Sequence, residues 1–293
     1  MPIDRPNLLA LNASLLPEQE ALAAWNQLKE AFTIDDIQPE LLPLIFSNLS
    51  SHLAGDNLLG KLKGCHHFQW SKNQVLLYQL AERLRLLNQA GIEVLLIGDA
   101  PVASRYYSNS GDRSLGQFEV FVPSEQMREA VSLLDSKTRA IRQAANKHDF
   151  SLSLRSNILL GPGRDQQFWL HRSKIEILDC KVCVLDPVDQ LFYSLLAFGR
   201  KAAAMWITDV LMVASFAELD LNTVAQRAQR YRVAARLKAK INFLYSSQFQ
   251  PQPCVQALKR ISGLSADAWE VVEHCLPGLG AFGSAFLRFA ERR

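Results

Sequence analysis

Residues 92–123, IEVLLIGDAPVASRYYSNSGDRSLGQFEVFVP, constrain this chain more than any other stretch. An apolar run, Val94 to Ile97, is short enough for a buried strand and is stopped by Gly98. Asp99 stands where a helix can start, with a carboxylate suited to capping backbone amides. A loop rich in Ser, Asn and Gly follows at 108–112. The chain then re-enters a strand with Phe118, Val120 and Val122 on one face and Gln117, Glu119 and Phe121 on the other. Polar side chains on one strand face beside a glycine turn are the makings of a site.

The order of these features resembles the nucleotidyltransferases of the DNA polymerase beta superfamily, in particular a bacterial branch described as uncharacterised nucleotidyltransferases. That branch runs apolar-apolar-Lys-Gly, a Tyr, a Gly and an Arg, then Asp-x-Asp inside a strand. Here the corresponding residues are Ile97-Gly98, Tyr107, Gly111, Arg113 and Gln117-Phe118-Glu119. The resemblance implies two Mg²⁺ ions held against a nucleoside triphosphate by carboxylates on one strand face, with Arg113 near the phosphates. It casts Glu119 as metal ligand and, with Asp99, as catalytic candidate, and Gly98, Arg113 and Gln117 as ligand-binding candidates. The frame matches, but Gln117 is neutral and cannot replace a charged ligand. Asp99 falls where the superfamily commonly has a Ser touching phosphate, so it would set negative charge against negative charge unless a metal lies between. The third carboxylate of the superfamily comes from a neighbouring strand. Here the alternating HDFSLSLR segment carries Ser151, Ser153 and Arg155 on its polar face, and the alternative register at Ser156 also lacks an acid.

With 293 residues and 48% hydrophobic content, the chain can bury a substantial core. A net charge of +3 demands neither nucleic acid nor an anionic membrane as partner. Asp4, Pro6 and Asn12 interrupt what a secretory signal would need as its apolar centre. The longest apolar stretch, 202–217, falls short of the roughly 20 residues of a bilayer span and contains Asp209. These features lead us to expect a soluble cytoplasmic protein. Cys65, Cys180, Cys183, Cys254 and Cys275 are scattered and odd in number, which fits a reducing compartment. Cys180 and Cys183 form a C-x-x-C inside a β-like segment with no second pair, and buried thiols are the simpler reading. His66-His67, in what reads as a loop, and His148 and His171 have no sequence-local carboxylate or Cys, favouring surface or capping roles over metal binding.

Apolar spacing predicts helices over 17–32, 39–53 and 73–90, the last ended by Gly91. A further helix is predicted near 125–134, strands over 150–155, 167–170 and 174–185, and a helix starting at Asp186-Pro187. A Gly-Pro-Gly turn at 161–163 lacks the rest of a Walker motif. Helical patterns at 188–198, 202–216, 221–231, 234–245, 255–261 and beyond 267 complete the chain. Asp209 in MWITDVLMV reads as a buried acid satisfied by a neighbouring Arg or a helix end. The basic cluster Arg227, Arg230, Arg232, Arg236, Lys238 and Lys240 reads as a solvated face, with no strong nucleic-acid signal. The expected architecture is α+β: helices over 1–91, a nucleotidyltransferase-like core with a small mixed sheet over 92–186, and a helical bundle over 187–293. The expected function is binding of a nucleotide or phosphate ligand, or of a protein partner, by a catalytically degenerate member. The alternative is an active enzyme that uses Mg²⁺ and a nucleoside triphosphate.

Overall fold

A computed structural model describes residues 3–142, 150–156, 158, 165–197, 203–216 and 219–246. The chain divides into two compact units, Met1–Phe216 and Ala217–Arg293. The first contains α1 (Arg5–Leu15), α2 (Glu18–Ala31), α3 (Leu42–Leu49), α4 (Leu59–Gln89), β1 (Leu95–Gly98), α5 (Asp99–Tyr106), β2 (Gln117–Phe121), α6 (Met127–Arg142), β3 (Ser151–Arg155), α7 (Gln166–Leu170), β4 (Ser173–Ile177), β5 (Cys180–Val184), α8 (Pro187–Leu196) and α9 (Ala203–Ala214). The described part of the second unit holds α10 (Leu221–Arg230) and α11 (Ala234–Ser246), which pack on each other. The chain is thus α+β, and the first unit includes α8 and α9 with the sheet.

The sheet has the order β3-β2-β1-β5-β4. β1 is antiparallel to β2 and parallel to β5, β3 is parallel to β2, and β4 and β5 form an antiparallel hairpin. One face is apolar in every strand: Val94 and Leu96, Phe118, Val120 and Val122, Ile177, Cys180 and Val182 join Leu76, Leu80, Leu84 and Leu87 of α4 in one core. Phe150, Leu152 and Leu154 pack against the same core, with Phe150 stacked on Phe118 at 5.2 Å. The alternation in β2 and β3 therefore has the physical basis expected of it: burial of one parity under helices. The opposite face meets α7 through Trp169, 5.5 Å from Phe121, and α8 through Tyr193.

Helix α4 begins fourteen residues before the apolar periodicity announces it, at Leu59 rather than Asn73. Its first half buries Leu62, His66, Gln69 and Asn73, a helical spacing written mostly in polar residues. An apolar-moment reading passes over such a stripe, and it places His66-His67 in a loop. The helix ends as the sequence implies: Gly91 adopts φ 72°, its N–H donates to Asn88 O, and Ile92 N–H donates to Leu87 O.

Three further elements differ from the sequence reading. Helix α1 is capped by the Asp4 carboxylate on Asn7 N–H, with Pro6 in the first turn, and so turns into a helix the segment read only for its lack of a signal. Residues 166–170 form one helical turn that buries Phe168, not a strand; an apolar run this short carries no period to decide between the two. Residues 174–185 are a hairpin whose turn places Leu178 and Asp179 at φ 45° and 61°, without the Gly or Asn that would have announced it. The Gly-Pro-Gly turn, His148 and the helical patterns beyond 246 lie outside the described residues. Among the described residues no helix is long and apolar enough to cross a membrane.

Candidate functional site

β1 delivers the chain to Gly98, whose φ of 85° is costly for any side-chain-bearing residue, and α5 starts at once with Asp99. A Cβ at Gly98 would lie 3.8 Å from Glu119 Oε2 and 3.9 Å from the Tyr193 hydroxyl, so this turn sits directly against the polar face of β2. Gly98, and not Asp99, holds the cap position of α5. Asp99 Oδ1 accepts from Arg113 Nη2 at 2.8 Å, and the side chain keeps 17% exposure.

The loop that carries Arg113 is fixed by the buried polar row of α4. Asn73 donates to the carbonyls of Ser110 and Arg113 and accepts from Leu115 N–H. Gln74 reaches Ser110 Oγ at 2.9 Å. Asp112 Oδ1 accepts from Ser47 Oγ at 2.5 Å and contacts His66 Nε2 at 3.1 Å, while its Oδ2 accepts from Asn109 N–H at 3.1 Å. His66 is buried beside this carboxylate, so the surface or capping role expected of it does not hold. The carboxylate lies 46 positions away in sequence, beyond any local pattern. Gly111 is required here by space: a Cβ would come within 2.8 Å of the His66 ring.

Arg113, which the resemblance places near phosphates, is 2% exposed. Its Nε donates to Asp209 Oδ1 at 2.7 Å, Nη2 donates to Asp209 Oδ2 and Asp99 Oδ1 at 2.8 Å each, and Nη1 donates to Ser114 O at 2.6 Å. Burial would pull the guanidinium down, but Asp209 and then Asp99 outweigh it and hold it well above its ordinary value. The Tyr107 hydroxyl donates to Asp209 Oδ1 at 2.8 Å, and burial, followed by the Asp209 charge, raises it well above the ordinary tyrosine value. Asp209 is thus satisfied by a neighbouring Arg, as its apolar setting in the sequence implies. The cation joins the start of α5 to α9, with few donors left for a ligand.

On β2, Gln117 is exposed and Glu119 is 7% exposed. Glu119 Oε2 accepts from the Tyr193 hydroxyl, and Oε1 is ion-paired with Arg155 Nη2. The register pairs Gln117 with Ser151 and Glu119 with Ser153, so the polar face of β3 offers two hydroxyls and the cation that neutralises Glu119. No acid stands there. Tyr193 and Arg155 are the two site residues that sequence reasoning did not connect to Glu119, since they lie on separate elements. The only hint for Arg155 was its parity with the serines.

The donors do not fit the two Mg²⁺ ions that the resemblance implies. Both Glu119 oxygens are engaged, Asp99 is paired with Arg113, and Gln117 offers only a neutral amide carbonyl. Among the described residues no three His, Cys, Asp or Glu side chains gather as a metal group. The C-x-x-C is no exception. Cys180 faces the core and is pushed up by burial, whereas Cys183 pairs in register with Lys174 on the opposite face. In the second unit, Arg227 and Arg230 occupy the last turn of α10, where cations suit the helix dipole.

No curated protein and no solved structure matches the chain. A family model does, over residues 37–241, a span from the end of the first helical layer through the loop clamped by α4, the sheet and α9 into α11. On that match over most of its length, the chain belongs to the uncharacterised nucleotidyltransferase family.

Proposed function

We propose that this is a degenerate nucleotidyltransferase of the polymerase beta type, a protein that binds a nucleotide or other phosphate-bearing ligand without transferring a nucleotidyl group. The observation that carries the reading is the state of Glu119, the single acid left in the Asp-x-Asp position. One oxygen is bonded to Tyr193 and the other to Arg155. A metal ligand must turn at least one oxygen to the cation, and the positive charge of Arg155 beside Glu119 opposes a second cation there. Gln117 cannot share the load, and Ser153 stands beside Glu119 where another acid would be needed. Asp99 with Arg113 and Glu119 with Arg155 instead form two internal charge pairs.

A second reading, an active Mg²⁺-dependent enzyme with a rebuilt site, draws support from one feature. Asp99 is bonded on from Gly98, and Glu119 Oε2 lies within 3.8 Å of where a Gly98 Cβ would stand, so both acids flank the same turn. The two readings separate in one assay. Purified protein with Mg²⁺ or Mn²⁺ and each of the four ribonucleoside triphosphates is expected to release no pyrophosphate and to label neither itself nor cell extract. Release that disappears in Glu119→Ala would establish the enzyme and discard the degenerate reading.

A further inference from the structure

At the other end of the sheet from Gly98, a hollow of about 400 Å³ opens between the start of β1, the β4–β5 hairpin and α7. Glu93 and Gly98 are five positions apart, so the hollow lies roughly 15 Å along the chain from the Glu119 cleft. Trp169, Arg172, Lys174 and Lys181 line it, with Glu93 as the one acid of the lining. Arg172 is held beside the indole: its Nη1 donates to Trp169 O at 2.6 Å, and its guanidinium carbon lies 5.5 Å from the ring centroid. Lys174 and Lys181 are exposed and share one face of the hairpin, because Lys174 is in register with Cys183 and Lys181 with Glu176. Neither lysine side chain makes an ion pair with any described residue.

Beyond Trp169 a second hollow of about 330 Å³ shares Glu93, Trp169 and Arg172 but adds Glu125 and Asp165. The indole therefore divides a basic hollow from an acidic one, and an anion has one side to choose. A cavity of this size with an aromatic wall and three cations suits a small ligand that has both a π-face and a phosphate. Glu93 lines the hollow and Glu176 stands directly across from Lys181, so acids interrupt the row of cations that a polynucleotide backbone would follow.

We infer that this hollow is a mononucleotide site, with the base against Trp169 and Arg172 and the phosphate at Lys174 and Lys181. It does not depend on what happens at Glu119, since an active transferase could carry it equally well. Calorimetry of the full chain with AMP, adenosine, ribose 5-phosphate and inorganic phosphate tests it. AMP is expected to bind more tightly than any of its parts. Lys174→Gln with Lys181→Gln should weaken AMP about tenfold or more and leave adenosine unchanged, because only the phosphate contact is lost. Trp169→Ala should weaken AMP and adenosine by about tenfold and ribose 5-phosphate little. No AMP binding at about 1 mM, equal AMP affinity in the parent and the double-lysine variant, or inorganic phosphate binding as well as AMP would each overturn the assignment. So would a short single-stranded oligonucleotide that binds tenfold more tightly than AMP, which would make the hollow part of a nucleic-acid surface.

Discussion

Arg113 holds both carboxylate oxygens of Asp209, at 2.7 and 2.8 Å, across 96 positions of sequence. The pair fastens the loop before β2 to α9, and its removal should be felt as stability rather than as a lost ligand. Asp209→Asn, which leaves the buried guanidinium paired with Asp99, should cost about 1–3 kcal/mol in denaturant unfolding, and Tyr107→Phe about 1 kcal/mol. Arg113→Met combined with Asp209→Leu and Tyr107→Phe, which removes the whole buried polar group together, should recover much of the larger loss. A cost under about 1 kcal/mol for Asp209→Asn would mean that the pair does not organise this region.

Gly111 predicts a steric effect that can be relieved. Gly111→Ala drives a methyl into the His66 ring at 2.8 Å and its carbonyl at 3.1 Å, for an expected loss of about 1–3 kcal/mol. In a His66→Ala background the same substitution should cost clearly less, because the ring is gone. Equal costs in the two backgrounds, measured by denaturant midpoints, would show that the ring is not the obstacle.

The cleft can be asked whether its missing acid or its added cation blocks metal. Gln117→Asp alone is expected to gain no Mg²⁺-dependent triphosphate binding, since Arg155 still neutralises Glu119. Gln117→Asp with Arg155→Ser frees the carboxylate and should gain it, read by calorimetry. Binding by the single variant would show that Arg155 yields readily to a metal.

Two groups set opposite limits on pH stability. Asp56 resists its partial burial by accepting from Lys29 at 2.5 Å, from Leu58 N–H and from the Trp25 indole, and is held below the ordinary 3.8. Its folded-state pKa is depressed, so its contribution is complete above about pH 4 and lost as the pH falls through the folded value. Tyr107 is shifted the other way from 10.0, so its contribution is present below pH 10 and lost as the pH rises towards its folded value. Melting temperatures across pH should show the acid-side decline reduced in Asp56→Asn and the alkaline decline reduced in Tyr107→Phe. Unchanged profiles would remove these groups as the cause.

The parity of Phe118, Val120 and Val122 against Glu119, and of Leu152 and Leu154 against Ser153, was legible because a strand writes its burial at every second residue. That Asp209 would be satisfied inside the protein, by an arginine or a helix end, was also legible from an acid set in an apolar helix, although which of the two was not. Two things escaped. The start of α4 was hidden because its buried stripe is Asn73, Gln69 and His66, residues that a hydrophobic pattern counts as surface. The engagement of Glu119 was hidden because Tyr193 and Arg155 meet it only once β3 and α8 are in place, and no spacing in the chain encodes that meeting.

Helix α4, at 31 residues, lends its first half to the 108–115 loop and its second half to the sheet core. Opening the loop means breaking the Asn73 and Asp112 bonds that also close the helix flank, and peeling the helix away uncovers the sheet. The two events share one barrier. A segment whose serines, asparagine and glycine give it the composition of a floppy turn should therefore exchange the amide hydrogens of Asp112 and Leu115 on the slow timescale of the β-strands behind it.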